Sequence, residues 1–284
     1  MPGLILHGGA GRPRPRAERA ALKSLLAQVA EDAWSQVKAG QSAVHVAVEA
    51  ARALEDIPLF NAGTGSKLQS DGAARLSAAL MDGHLERFSG VVNVEGILNP
   101  ILLCRQLQQE RDRVLSGAGA LQRARELGLR EGDVRTEAAL QSWREAIEGE
   151  TGTIGAVVCD LRGHIAAATS TGGRGMEGIG RVSDSATVAG NFASPNAGVS
   201  CTGIGEDIVD GALAARAVAA VDSGLAIEDA TARVRERMVS RQWAAGLIAL
   251  DRQGRWSAIH TTAVMYWTAI DDQGLHQFDF PDLP

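Results

Sequence analysis

The apolar segments of this 284-residue chain are short and joined by turns, while the segments with helical periodicity come in pairs. In the clearest case, an apolar run from Ile154 to Asp160 is followed by a Leu-Arg-Gly turn and a second run from His164 to Ser170. Two such runs with turn residues between them are typical of a hairpin. We therefore predict an antiparallel sheet core with helices packed outside it in layers.

The rest of the chain extends this pattern. Further strands are predicted at 4–7, 78–81, 90–94, 247–251, 256–260 and 264–269. Helices are predicted at 18–38, from Ser42 as the capping residue to Ala53, from 99–100 onward, at 208–221 and at 227–239. Residues 56–71 form a polar, glycine-containing loop. Residues 106–150 are rich in Arg, Glu and Gln, with helical patterns broken at 117–119 and 128, and fit either a solvated helical arm or a mobile connector before Thr151.

Composition argues against several classes of protein. The net charge is −6 and aromatic residues make up 4% of the chain, so neither a basic nucleic-acid surface nor a base-stacking surface is expected. No stretch of 18 uncharged apolar residues is present, so no membrane span is expected. The three cysteines lack the spacing of a zinc site or a disulfide framework, and Cys159 and Cys201 are predicted to lie in the core. With no cationic leader at residues 1–3, these features favour the cytoplasm.

Familiar catalytic and nucleotide-binding motifs are not supported. Residues 173–178 fit G-x-G-x-x-G, but no apolar helix begins at the third glycine, as a dinucleotide-binding fold requires. Residues 63–67 have the wrong residue order for a P-loop, and no H-E-x-x-H or G-x-S-x-G motif occurs. The six histidines show no metal-ligand spacing.

Thr153 is the strongest candidate nucleophile. It follows Gly152 at the junction between the charged segment and a buried strand. A threonine hydroxyl is a weak nucleophile unless a nearby base accepts its proton, and a free α-amine with a pKa near 7.7–8.0 is such a base. Thr153 gains that amine only if the Gly152–Thr153 bond is cut. Taken alone, a Gly-Thr pair before a strand is usually just a turn.

Three glycine-flanked polar clusters after Thr153 favour a site, because buried polar groups need partners. They lie at 169–173, 180–185 and 200–206. Arg181 suits a carboxylate and Asp184, three residues later, suits an ammonium, so together they would bind an amino-acid head group. The alternative is a structural ion pair between Arg181 and Asp184.

With these clusters in view, the sequence resembles the plant-type (type III) L-asparaginase/isoaspartyl peptidase family of N-terminal nucleophile (Ntn) hydrolases. The resemblance covers nearly the whole chain and is strongest from Gly152 to Glu206. The blocks that carry it occur in the order L-H-G-G-A-G (6–11), P-L-F-N-A-G-T-G (58–65), M-D-G (81–83), N-P-I (99–101) and G-T-I-G-A-V (152–157). It implies an α+β fold, the four-layer αββα Ntn-hydrolase sandwich, in a single domain spanning 1–284. It also implies self-cleavage into 1–152 and 153–284.

The resemblance further implies an amidohydrolase that converts L-asparagine into L-aspartate and ammonia and cleaves β-aspartyl dipeptides. Its implied catalytic residues are Thr153, Thr171, Thr202, Gly203 and Asn61, with Thr202 and Gly203 as the oxyanion hole. Its implied substrate-binding residues are Arg181 for the α-carboxylate and Asp184 for the α-amine, with Gly203 and Gly205 beside them. No organic cofactor is implied. A structural sodium ion is implied on carbonyl groups of the 54–64 loop, namely those of Leu54, Glu55, Ile57, Phe60, Ala62 and Thr64.

The same resemblance implies a homodimer of cleaved protomers that acts on a small-molecule substrate, with neither nucleic acid nor membrane as a partner. Three positions depart from the family pattern: Ser77 replaces an acidic residue, no lysine occurs in 174–177, and Ser183 replaces glycine. The last two border the substrate loop and bear on substrate range. The alternatives are an Ntn amidase with another substrate, such as a glycosylasparaginase, or a family member that does not mature and acts as a scaffold.

Overall fold

A computed structural model of the chain describes residues 1–146 and 152–278. The end of the charged segment, 147–151, and the last residues, 279–284, lie outside the described residues. The strands are β1 (Gly3–Gly11), β2 (Leu76–Asp82), β3 (Arg87–Val94), β4 (Val114–Ser116), β5 (Ile154–Cys159), β6 (Ile165–Thr171), β7 (Asn191–Ala193), β8 (Ala197–Gly203), β9 (Ala245–Asp251), β10 (Trp256–His260), β11 (Val264–Asp271) and β12 (Gly274–Gln277). The helices are α1 (Arg16–Lys38), α2 (Ala43–Glu55), α3 (Pro100–Leu107), α4 (Gly117–Glu126), α5 (Glu137–Arg144), α6 (Gly205–Gly211), α7 (Leu213–Asp222) and α8 (Ile227–Arg241).

The strands form two sheets. The larger has eight strands in the order β12-β11-β1-β5-β6-β2-β3-β4, and the smaller has four in the order β10-β9-β8-β7. Neighbouring strands are antiparallel except β3 and β4, which are parallel. The predicted hairpin is β5–β6, in which Ile154 pairs with Ser170 and Cys159 pairs with Ile165.

The two sheets pack face to face, and helices cover their outer faces. On β5, Ala156 and Val158 belong to the core beneath α1, α2 and α3, while Val157 and Cys159 belong to the core between the sheets. The small sheet's outer face packs against α7 and α8 through residues such as Val199. Because both faces of the central strands are buried, their sequences are continuously apolar. The fold is the predicted four-layer αββα sandwich.

Most predicted elements are confirmed, with boundaries shifted by a few residues. Ser42 caps α2 by accepting a hydrogen bond from the His45 amide at 3.2 Å. The three cysteines are free and buried, so the prediction that Cys159 and Cys201 lie in the core is confirmed. In the described part of the chain, no helix combines the length and the hydropathy needed to cross a bilayer.

Two predictions about helices are wrong. The single helix expected at 208–221 is two helices, α6 and α7, because Ala212 adopts a left-handed conformation with φ 45°. The 106–146 segment is not simply a solvated arm. Residues 117–119 begin α4 rather than break a helix, and Ala120, Ala124 and Val134 are buried in the core beneath the large sheet. Strands β4, β7, β8 and β12 were not predicted, since most are short or rich in small polar residues.

Candidate active site

The β5–β6 hairpin places Thr153 opposite Thr171 at one end of the space between the sheets. Ile154 pairs with Ser170, so the next cross-strand position joins residues 153 and 171. The Thr153 hydroxyl donates a hydrogen bond to Thr171 Oγ1 at 3.0 Å, and both side chains are buried. Thr171 Oγ1 also accepts from the Gly173 amide at 3.1 Å. The candidate nucleophile is therefore held in one orientation by its neighbour.

Asn61, in the loop after α2, forms hydrogen bonds with two residues close to Thr153, namely Gly152 and Gly173. Its backbone amide donates to the Gly152 carbonyl at 3.0 Å, and its side-chain amide donates to the Gly173 carbonyl at 2.5 Å. A Cβ atom on Gly152 would lie 3.0 Å from the Asn61 Cβ, so glycine permits this close approach. The carbonyl that precedes Thr153 is thus hydrogen-bonded where negative charge would develop during attack on it.

Thr202 and Gly203 end strand β8 next to the nucleophile. The Thr202 hydroxyl is buried and has no hydrogen-bond partner among the residues described. Gly203 has φ 136°, and a Cβ there would lie 2.5 Å from the Ala245 Cα. Only glycine fits this position, which leaves its backbone uncovered by a side chain. A buried hydroxyl without a partner is a donor available to a ligand.

Arg181 and Asp184 lie on either side of Gly205, but they do not form the ion pair considered as an alternative. The Arg181 guanidinium instead donates to the Glu206 carboxylate through Nε at 2.8 Å and Nη2 at 2.9 Å. A Cβ on Gly205 would lie 2.6 Å from Arg181 Nη2 and 2.8 Å from Asp184 Oδ1. Glycine at 205 therefore keeps a cationic and an acidic group open to the same small space.

Asp184 is a buried carboxyl group with an altered affinity for protons. Burial raises its pKa to about 7, although the nearby charge of Arg181 works in the opposite direction. Its Oδ2 atom has no hydrogen-bond partner within residues 1–146 and 152–278. A cationic ligand beside the carboxyl group, on the side of Oδ1 that faces Gly205, would replace the lost hydration and stabilise the carboxylate form.

A single narrow cleft joins most of these groups. It is lined by the predicted residues Thr153, Thr171, Arg181, Asp184, Gly203 and Gly205, together with Gly173, Arg174, Ser183 and Ile204. Thr202 and Asn61 do not line the cleft but adjoin residues that do: Thr202 precedes Gly203, and Asn61 donates a hydrogen bond to the Gly173 carbonyl. Arg174, and Glu206 as the partner of Arg181, were not predicted as site residues. The signal for Arg174 was its place in the loop that departs from the family pattern.

A buried polar network lies beneath Thr153. His7 Nε2 is 2.9 Å from Ser200 Oγ, which is 2.6 Å from Thr169 Oγ1. Burial lowers the His7 pKa to about 3, so its imidazole is neutral at physiological pH. Gly155, the neighbour of His7 on β5, leaves room for the ring, because a Cβ there would lie 2.4 Å from His7 Nε2. The network ties β1, β6 and β8 together below the nucleophile.

The 54–64 loop closes on itself beside the site. The Thr64 amide donates to the Glu55 carbonyl at 2.8 Å. A Cβ on Gly65 would lie 2.4 Å from the Pro58 carbonyl oxygen and 3.0 Å from that of Phe60. Carbonyl oxygens therefore crowd together where only a residue without a side chain fits.

A wider cleft on another part of the surface has no comparable chemistry. It is lined in part by Asp82, His84, Asp160 and His164, and the two imidazole rings stack with centroids 3.8 Å apart. The carboxylates there accept hydrogen bonds from nearby backbone amides, as Asp160 Oδ1 does from His164 at 3.0 Å. Its one serine, Ser42, caps α2. These groups serve the fold, so the narrow cleft at Thr153 is the candidate active site.

Comparison with known proteins agrees with the geometry. A family model described as asparaginase matches residues 1–151 and 144–279, in two overlapping segments that span nearly the whole chain. The chain belongs to the asparaginase family. The two packed sheets and the helices outside them are consistent with the sandwich fold of this family.

Curated relatives of this asparaginase-family chain come from distant organisms. An isoaspartyl peptidase/L-asparaginase from Synechocystis is 44% identical over 89% of this chain and 83% of the relative. A plant-type L-asparaginase from Thermococcus kodakarensis is 37% identical over 81% of this chain and 83% of the relative. An isoaspartyl peptidase/L-asparaginase from Mus musculus is 34% identical over 94% of this chain and 87% of the relative.

Proposed function

We propose that this chain hydrolyses L-asparagine to L-aspartate and ammonia and cleaves β-aspartyl dipeptides, with Thr153 as an N-terminal nucleophile. The observation that carries the proposal is that Thr153, Arg181 and Asp184 line the same cleft. A hydroxyl nucleophile, a guanidinium and a carboxyl group are what an α-amino acid with a side-chain amide needs. The names of the curated relatives support the same activity.

The first step of the proposal is self-cleavage between residues 152 and 153, which yields chains 1–152 and 153–284. Thr153 Oγ1 attacks the Gly152 carbonyl carbon, the C–N bond breaks as the ester forms, and the hydroxyl proton is transferred to the departing nitrogen, which becomes the free amine. Water then hydrolyses the ester to the Gly152 carboxylate and the Thr153 hydroxyl. The Asn61 amide, 3.0 Å from the Gly152 oxygen, supports this step by stabilising the developing charge.

In turnover, the new amine accepts the Thr153 hydroxyl proton while the oxygen attacks the side-chain carbonyl carbon of the substrate. The Thr202 hydroxyl and the Gly203 amide stabilise the resulting oxyanion, because donors aimed at developing charge act mainly in the transition state. The amine then gives the proton to the departing ammonia or amino acid. Water attacks the acyl-enzyme ester, releasing L-aspartate and restoring the hydroxyl.

Substrate recognition in this proposal depends on charge. Arg181 binds the α-carboxylate while Glu206 keeps the guanidinium in place, and Asp184 binds the α-ammonium in its carboxylate form. Gly203 and Gly205 leave space for the substrate backbone. Thr171 orients the nucleophile through the 3.0 Å hydrogen bond between the two hydroxyl groups.

The proposal includes a structural sodium ion held by the carbonyls of the 54–64 loop. Two of the expected ligands support it: the Glu55 carbonyl oxygen would lie 2.5 Å from a Cβ on Gly63 and the Phe60 oxygen 3.0 Å from a Cβ on Gly65, so both face close backbone approaches that glycine permits. The carbonyls that would hold it are those of Leu54, Glu55, Ile57, Phe60, Ala62 and Thr64. Such an ion would supply no chemistry to the reaction and would stiffen the loop that carries Asn61. No organic cofactor enters the proposed reaction.

The proposal also includes a homodimer of cleaved protomers in the cytoplasm. Ile179 and Val182, which flank Arg181, are 65% and 54% exposed, and a partner that covered them would remove apolar surface from water. The three unpaired, buried cysteines suit a reducing compartment. Light scattering of the cleaved protein tests the dimer, and a monomer would contradict it.

Intact-mass measurement and a paired activity assay test the function. We expect purified protein to yield two fragments separated at Gly152–Thr153, and the cleaved protein to release ammonia from L-asparagine and leucine from β-aspartyl-leucine. The control is Thr153→Ala, which removes the hydroxyl used in both attacks and is expected to stay whole and inactive.

Two results would overturn the proposal. A wild-type chain that stays whole and inactive would favour the non-maturing scaffold. A cleaved chain that hydrolyses only other amides, such as a glycosylated asparagine, would place it with the alternative amidases.

A further inference from the structure

Arg174 is a cation on the wall of the active-site cleft for which the chemistry proposed above has no use. It lines the same cleft as Thr153 and Arg181 and is half-buried. Its Nε atom is buried and has no hydrogen-bond partner in the part of the chain that the structure describes. A buried guanidinium N–H without a partner costs free energy unless a ligand supplies an acceptor.

The backbone around Arg174 is fixed close to the nucleophile. The preceding residue, Gly173, donates its amide to Thr171 Oγ1 at 3.1 Å and accepts from Asn61 Nδ2 at 2.5 Å. The Arg174 amide itself donates to Glu177 Oε1 at 3.2 Å. Thr171 Oγ1 is in turn 3.0 Å from Thr153 Oγ1. The backbone of Arg174 therefore directly follows a residue that is hydrogen-bonded to Thr171, which is the partner of the Thr153 hydroxyl.

The charges of the cleft fit one substrate class better than the other. Arg181 chiefly lowers the pKa of Glu206 by hydrogen bonding, and the charge of Arg174 adds to that effect, so the two guanidinium groups face the same region. L-Asparagine is a zwitterion without net charge, and Arg181 and Asp184 satisfy both of its ionic groups. A β-aspartyl dipeptide has one further carboxylate, on its leaving amino acid, and so needs one further cation.

We propose that Arg174 binds the terminal carboxylate of the leaving amino acid in β-aspartyl dipeptides and thereby favours dipeptides over asparagine. This inference rests on the proposed function. A guanidinium presents a planar pair of N–H donors that matches a carboxylate, and the pairing is strong where water is partly excluded. Ammonia, the leaving group of asparagine, offers no such acceptor.

The test uses three substrates with the cleaved wild type and the Arg174→Gln variant. The substrates are L-asparagine, β-aspartyl-leucine and β-aspartyl-leucinamide, whose terminal carboxylate is replaced by an amide. Rates are expressed per free Thr153 amino terminus, so that any change in self-cleavage is removed. We expect kcat/KM of the variant to fall about tenfold for β-aspartyl-leucine, as for the loss of one charged hydrogen bond. It should change less than about twofold for the other two substrates, because neither has the terminal carboxylate that Arg174 would bind.

Two further variants complete the test. Arg174→Lys keeps the charge and should recover part of the dipeptide activity. Arg233→Gln removes an equal charge from an exposed position on α8 and should leave the ratio of dipeptide to asparagine activity unchanged.

Two outcomes would overturn the inference while leaving the proposed function intact. One is an equal fall for all three substrates, which would indicate a structural role for Arg174. The other is an unchanged kcat/KM for β-aspartyl-leucine in Arg174→Gln. If the cleaved wild type hydrolyses neither asparagine nor the dipeptide, the proposed function itself fails and this inference fails with it.

Discussion

The hydroxyl groups of Thr153 and Thr171 lie 3.0 Å apart, and Thr171 accepts hydrogen bonds from both Thr153 and the Gly173 amide. Thr171→Val keeps the size of the buried side chain but removes this acceptor. We expect kcat for L-asparagine to fall at least about tenfold, the factor that about 1.4 kcal/mol of transition-state stabilisation represents. Steady-state kinetics of the cleaved variant measures this, and Thr171→Ser, which keeps the hydroxyl, is the control. Wild-type kcat in the valine variant would contradict an orienting role.

Thr202→Val separates catalysis from stability. The Thr202 hydroxyl has no partner among residues 1–146 and 152–278, so the resting protein loses no hydrogen bond when valine replaces it. We expect an unchanged or slightly higher Tm, because a buried polar group without a partner is removed. If the hydroxyl stabilises the oxyanion, kcat should fall by a factor on the order of 10²–10³. A thermal melt and kinetics on the same preparation test both, and a variant that loses Tm but keeps kcat would refute the assignment.

Asp184 should make substrate capture depend on pH near neutrality. Burial raises its pKa to about 7, and only the carboxylate form attracts the substrate ammonium. We therefore expect kcat/KM for L-asparagine to rise with pH through about 7, and the Asp184 ionisation by itself to contribute a fall of about tenfold per pH unit on the acid side. The Thr153 amine that the proposed self-cleavage exposes adds a second rising limb, for which the ordinary α-amine pKa is about 7.7–8.0.

The control for this pH effect is Asp184→Asn, which cannot titrate. It should lower kcat/KM and lose the limb near pH 7 while keeping the limb that belongs to the amine. An unchanged acid limb in Asp184→Asn would assign that limb to another group.

Glu55 should make the fold less stable as pH rises. It is fully buried at the end of α2, and burial raises its pKa from 4.5 to about 8, although the hydrogen bond that its Oε1 accepts from the Ile101 amide at 3.2 Å opposes the effect. Its folded-state pKa lies above the unfolded value, so the folded state binds more protons. The stabilisation is fully present below about 4.5 and is lost as pH rises through about 8.

Glu55→Gln removes this titration, so its Tm relative to that of the wild type should increase from acidic to alkaline pH. We expect a difference of a few degrees, since about 1 kcal/mol corresponds to roughly 2–4 °C for a chain of this size. Glu49→Gln, on the half-exposed face of the same helix, is the matched control and should show no such trend. A constant offset between Glu55→Gln and wild type at every pH would disprove the linkage.

Local sequence signals were sufficient for much of the fold and part of the site. Periodicity and turn residues are properties of a few consecutive residues, so the β5–β6 hairpin and the Ser42 cap follow from the sequence directly. A hairpin centred on Arg162 also places residue 153 opposite residue 171, and this symmetry was the available signal for their contact. The break at Ala212 was not predictable, because an alanine rarely adopts a left-handed conformation and tertiary packing imposes it there.

By itself, the sequence determined the family, the layered sheets and the choice of Thr153 as candidate nucleophile, because ordered motifs and apolar runs bounded by turn residues are local properties of the chain. Only the tertiary structure decided that Arg181 pairs with Glu206 rather than with Asp184, and that Arg174 lines the same cleft. Charged side chains pair according to which loops the two sheets bring together and how far each group is removed from water. Neither quantity can be read from the separation of three residues in sequence.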